Sequence, residues 1–239
     1  MKSKLIVLIA LTLFHFSTSY AGDFSIRDLE KDGPFCPWLD GTWCLSGVFT
    51  GEIQKGDTEK IELEITKRNL AFQDRAKKDK TNYTPKVRLG LIQISSNGGD
   101  VYESMKMGEW FRKNKVQVIN PQDSPCYSAC VFALAGGVVR IGSNIGLHAF
   151  YSNTSKNPNF DYDIENNKYQ KVEKDIRDYL QRMRVPTALL DEALQTPSTS
   201  VHILTEDEAK KFGLLVGFDP VFNQLLVAKG YLKPKSNQQ

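Results

Sequence analysis

From Leu89 onward the chain alternates short apolar runs with amphipathic stretches. Leu89–Ile94 (LGLIQI) is a short apolar run of strand length, and SSNGGD closes it with two glycines that permit a tight turn and a close approach of backbone to a ligand. Val101–Asn114 carries Val101, Met105, Trp110 and Phe111 at helical spacing, and Val116–Ile119 predicts the next strand. Strand, glycine turn, helix and strand in this order make a parallel crossover unit. A second unit opens at Cys126 with CYSACVFALAGG, apolar all round and so a buried helix ended by Gly136-Gly137. Val138–Ile141 and Ile145–Tyr151 predict two strands, the latter carrying His148. Ile164–Arg184 predicts a long charged amphipathic helix and Pro186–Leu194 a shorter one. The last unit, SVHILTEDEAKKFGL, reads strand, turn, helix, with Thr205 and Glu208 at capping-box spacing.

The first half is patterned less clearly. Leu45–Ile53 predicts a strand that breaks at Gly56-Asp57, and Lys60–Ile65 alternates weakly. Residues 66–88 are rich in Lys and Arg and predict a solvated helix and loop. Residues 22–45 predict an irregular lead-in stapled by a disulfide, 46–222 the folded domain and 223–239 a tail. Residues 1–21 read as a secretory signal. Lys2 and Lys4 give a positive start, Leu5–Phe16 a short apolar run, and Ser19-Tyr20-Ala21 small residues at the cleavage positions. The apolar run is too short for a membrane-spanning helix, and export to the periplasm is the expectation.

Without the signal the chain keeps 239 − 21 = 218 residues, enough for one α/β domain with a sizeable core. Losing Lys2 and Lys4 takes the formal charge from +3 to +1, which does not point to nucleic acid. Lys229, Lys233 and Lys235 in the tail read as a solvated end. Export changes the reading of the four cysteines, because oxidising compartments let disulfides persist. Cys36 and Cys44 have a spacing that suits a local loop, and Cys126 and Cys130 flank Ser128 symmetrically. Three pairings are open. Zinc is the rival, disfavoured because neither pair has a two-residue gap and histidines are few.

Acyl transfer by serine needs a hydroxyl, a base and donors for the oxyanion. Ser128 stands at a loop-to-helix junction, the N–H of Ala129 follows it, and the Gly98-Gly99 turn offers a second donor free of side chains. The base is constrained, since beyond the signal the chain holds only His148 and His202. Taken alone, His148 reads more plainly as a structural histidine satisfied by a hydrogen bond.

Five blocks together are more specific than any one of them: GEI at 51–53, SSNGGDVYESM at 95–105, CYSACVFALAGG at 126–137, IGLHAF at 145–150 and LTEDEAKKFGL at 204–214. In order and spacing the sequence resembles the proteolytic subunit of Clp protease and its exported relatives in the crotonase-like superfamily, over roughly residues 47–220. The resemblance implies an α/β Clp-protease/crotonase-like fold of repeated strand-strand-helix units. It puts Ser128 at the nucleophile, His148 at the general base, and Gly98 or Gly99 with Ala129 at the oxyanion hole. The orienting carboxylate is missing: Thr199, Ser200 and Val201 occupy its stretch. Asp161, Asp163 or Asp191 are the substitutes to consider, and a Ser–Lys dyad through Lys168 or Lys171 is the alternative base arrangement. The resemblance also implies homo-oligomers formed through the 164–184 helix.

These expectations add up to an ATP-independent serine peptidase acting on peptides or small proteins, with no cofactor and no ATPase partner. Coenzyme A thioester chemistry, the fold's other trade, is disfavoured in the periplasm. The rival is a catalytically weak or inactive relative that binds peptides or scaffolds an envelope assembly.

Overall fold

The structure, a computed structural model, describes residues 22–27, 42–80, 86–150 and 162–216. The expected signal (1–21), Cys36, Asp161 and the tail (223–239) lie outside them. The fold is α/β, built around β3 (Lys86–Ser95), whose Leu89, Leu91, Ile92 and Ile94 are all buried. It pairs in parallel with β2 (Thr42–Thr50) on one side and β4 (Gln117–Ile119) on the other. β6 (Arg140–Ile141) continues the sheet beyond β4, and β1 (Asp23–Arg27) runs antiparallel outside β2, giving the order β1-β2-β3-β4-β6. A smaller sheet has the order β5-β7-β8, from Cys126–Tyr127, Ile145–Leu147 and His202–Ile203.

The two sheets are stitched by bridges from Ser96 to Cys126 and from Ile53 to Gly99. Each turn of chain thus runs from the large sheet towards the small one and then into a helix. β2 and Ile53 lead to α1 (Asp57–Lys78), β3 and Ser96 to α2 (Val101–Lys113), β4 and β5 to α3 (Cys130–Gly136), and β6 and β7 to α4 (Tyr162–Arg182). This is the repeated strand-strand-helix pattern expected. α5 (Ala188–Gln195), β8 and α6 (Glu206–Lys211) complete the chain, and Thr205 and Glu208 form the expected capping box. Among the described residues no helix is long and apolar enough to cross a membrane.

Four expectations need correction. Lys60–Ile65 is helix: Ile61 and Ile65, four apart, are buried while Leu63 between them is 55% exposed, so the alternation was a helical stripe seen at every second residue. The lead-in is partly regular, because β1 lies in register along β2 and Cys44 is inside β2. The helix of the 126–137 block begins at Cys130, since Cys126–Tyr127 is spent on β5. β7 ends at Leu147, which leaves His148 just beyond the strand rather than within it.

Helices α2 and α3 meet at their glycines: a Cβ on Gly136 would collide with the backbone of Gly108. Tyr179 of α4 closes the crossing by donating its hydroxyl to the carbonyl of Phe132 at 2.6 Å. The start of α1 is capped from a distance by Glu103 of α2, whose buried carboxylate accepts from the N–H of Thr58 at 2.8 Å. Burial alone would raise the pKa of Glu103, but the hydrogen bonds from Thr58, the Gly56 backbone and the charge of Lys106 outweigh it, and the net shift is downward. Its contribution to stability is therefore present above the ordinary glutamate value and is lost as pH falls through the lowered one. Glu103→Ala should cost about 2 kcal/mol in urea unfolding at neutral pH. The gap from wild type should shrink as the pH is taken below about 4.

Two arginines close the other helix ends. Arg140, 3% exposed, donates through Nε to Gly137, and through its terminal nitrogens to Gly213 and, at 2.8 Å, to Met183. Arg112 donates to Ala135 and to the same Met183 carbonyl, both at 3.1 Å. These carbonyls stand at the C-terminal ends of α3, α4 and α6. Burial, with the charge of Arg112 beside it, pulls the pKa of Arg140 down to about 10, so the group remains a cation at neutral pH.

Candidate active site

Ser128 is placed by pairings on both sides of β5. Ser96 donates to Pro125 and accepts from Tyr127, while Cys126 donates to Asn144 and Ser128 to Gly146. At the end of β5 the chain turns at once into α3, and Ser128 takes the turn with φ 55°, a left-handed conformation that a serine adopts only when its surroundings impose it. A Cys126–Cys130 disulfide closes the five-residue loop around it, with the two Cα atoms 5.2 Å apart. This selects one of the open pairings, and both cysteines are buried. Cys44 is also disulfide-bonded, so the described cysteines offer no thiolate to a metal. Below the loop, the hydroxyl of Ser104 donates to the carbonyl of Ala129 and accepts from the N–H of Ala133.

The glycine turn lies against this loop. A Cβ on Gly98 would stand 2.7 Å from Cβ of Ser128, 3.0 Å from the carbonyl of Tyr127 and 3.2 Å from the nitrogen of Ala129. The two glycines, however, are not equivalent donors. The N–H of Gly98 is turned back onto the hydroxyl of Ser96 at 3.0 Å. The carbonyl of Gly98 accepts from Ile53 at 2.8 Å. Because a trans peptide holds C=O and N–H on opposite sides, the N–H of Gly99 points away from Ile53, to the edge where β5 runs. Neither it nor the N–H of Ala129 has a hydrogen-bond partner among the described residues. α3 has seven residues, so these two N–H groups, rather than a long helix dipole, supply the polarity expected at the junction.

Ser128 and His148 line the same small, open pocket. Its walls are apolar: Val101 of α2, Val131 and Phe132 of α3, and Leu189, Leu190 and Ala193 of α5. No hydrogen bond joins the two side chains directly, as is common before a substrate is bound. The parallel register of β5 and β7, Tyr127 against Gly146, brings their neighbourhoods together. Nδ1 of His148 lies 2.9 Å from the carbonyl oxygen of Ala149.

The other candidates lie elsewhere. Asp191 accepts from Arg177 at 2.7 Å, and Lys171 pairs with Asp175 at 3.1 Å on the exposed face of α4. Lys168 also has a partner. Asp161 and the side chain of Asp163 are outside the described residues. His202 sits between Glu208, at 3.4 Å, and Glu192, at 4.0 Å, outside the cavity lining. The antiparallel register of β7 and β8 pairs Gly146 with Ile203 and Leu147 with His202 and ends there, and Val201, just before β8, packs its Cγ1 on Gly146. The cavity walls from α2 and α5 were not singled out from the sequence, because their apolar residues have the same helical spacing as any core face.

No protein-family model and no curated protein matches this chain. Among solved structures, a mutant form of the 1510-N membrane-bound stomatin-specific protease is similar, with 16% identity and a TM-score of 0.47 over 76% of this chain and 81% of that one.

Proposed function

We propose that this protein is an exported, periplasmic serine hydrolase that cleaves peptides or small proteins without ATP. The supporting observation is the convergence on one pocket of a serine in a strained turn, a histidine and the N–H of Ala129, with the Gly98-Gly99 turn packed against the serine and the N–H groups of Gly99 and Ala129 without partners among the described residues. Oγ of Ser128 attacks the substrate carbonyl and its proton passes to Nε2 of His148. The oxyanion is received by the N–H groups of Gly99 and Ala129, and His148 returns the proton to the leaving amine. Water then repeats the sequence on the acyl-enzyme. The lining suits an apolar side chain next to the carbonyl attacked. Assembly into homo-oligomers through α4 belongs to the same proposal.

The second reading, a weak or inactive peptide-binding relative, is favoured by one observation: among the described residues no carboxylate is hydrogen-bonded to His148. A fluorophosphonate probe separates the two. The folded, oxidised protein should gain one adduct by intact mass, and Ser128→Ala and His148→Ala should each lower the labelling rate at least about 100-fold. Absence of any adduct on the wild-type protein would favour the binding role.

A further inference from the structure

We propose that the main-chain carbonyl of Ala149 is the group that orients His148, in the place where a carboxylate would ordinarily stand. The proposal rests on the hydrolase reading for its catalytic meaning but not for its geometry. A carbonyl oxygen only accepts hydrogen bonds, so the 2.9 Å contact to Nδ1 requires the proton to be on Nδ1. That leaves the lone pair on Nε2, the tautomer a general base needs.

The N–H of Ala149, in the peptide before the one that carries the carbonyl, donates to Thr196 at 2.9 Å and ties the residue to the end of α5, the helix that walls the cavity. Beside the strand that leads to His148, the side chain of Val201 covers Gly146, where its Cγ1 would collide with an added Cβ. Carboxylates on the neighbouring α5 and α6 bond elsewhere: Asp191 accepts from Arg177, and Glu208 from the backbone of Thr205. The Ala149 carbonyl therefore fixes tautomer and ring direction as a carboxylate does, but presents only a partial charge to the imidazolium that forms.

Two measurements test this. In protein carrying ¹⁵N-histidine, the ring nitrogens of neutral His148 should show the proton on Nδ1 and a bare Nε2. With the carbonyl carbons also carrying ¹³C, a coupling through the hydrogen bond should join Nδ1 of His148 to the carbonyl carbon of Ala149. A proton on Nε2 would overturn the proposal, as would a coupling to any other acceptor. If the wild type takes no fluorophosphonate label but the proton is found on Nδ1, the orienting carbonyl stands and the hydrolase reading falls.

Discussion

Arg140→Met should lower the stability of the oxidised protein by about 3 kcal/mol or more in chemical denaturation. The side chain is buried and its three hydrogen bonds end on carbonyls of Gly137, Gly213 and Met183. Methionine fills much of the volume but leaves the carbonyls of Gly137 and Gly213 without this donor, while Arg112 still serves Met183. Arg140→Lys should recover only part of the loss, because one ammonium on a flexible stem does not reach acceptors spread around a planar guanidinium. No carboxylate pairs with either arginine among the described residues, so a wild-type-like Arg140→Met would mean that these helix ends are solvated rather than bound.

The second large effect is on the site rather than on the fold. Gly98→Ala should reduce fluorophosphonate labelling at least about 100-fold, in protein that still shows a cooperative unfolding transition. Two causes act together. Gly98 has φ 110°, where an L residue is strained, and the added methyl would press on Cβ of Ser128 and towards the nitrogen of Ala129. Relief requires the turn or the Ser128 loop to shift, and on the proposed mechanism an oxyanion donor misplaced by a fraction of an ångström loses much of its value. Labelling at the wild-type rate would show that the two loops are not packed as described.

The second half of the fold was legible in the sequence because its apolar runs are long and end in glycines. LGLIQI reads as a buried strand since Leu91 on one face and Ile92 and Ile94 on the other are all buried, and the Thr205 cap is local chemistry that needs no tertiary context. α1 was obscured because its buried face is narrow: apart from Ile61 and Ile65, its wholly buried residues are Asp57 and Thr58, which pattern reading takes for solvated. β1 was missed because five residues with one partner carry little periodic signal. At the site, Ser128, His148, Gly99 and Ala129 were all visible as candidates. The choice of Gly99 over Gly98 was not, since it depends on which way one peptide faces. Nor was the choice among disulfide pairings, which is a matter of distance in space.

The pairings that build the cavity join segments far apart along the chain: Ser96 to Cys126, Tyr127 to Gly146, Gly146 to Ile203, and Ala149 to Thr196. A chain that has grown only as far as α4 therefore possesses Ser128 and His148 but lacks the α5 wall and the anchor for Ala149. Competence arrives with the last elements to be synthesised. On the proposed hydrolase reading, an emerging or shortened chain lacks a complete site, a restraint that follows from the winding order alone.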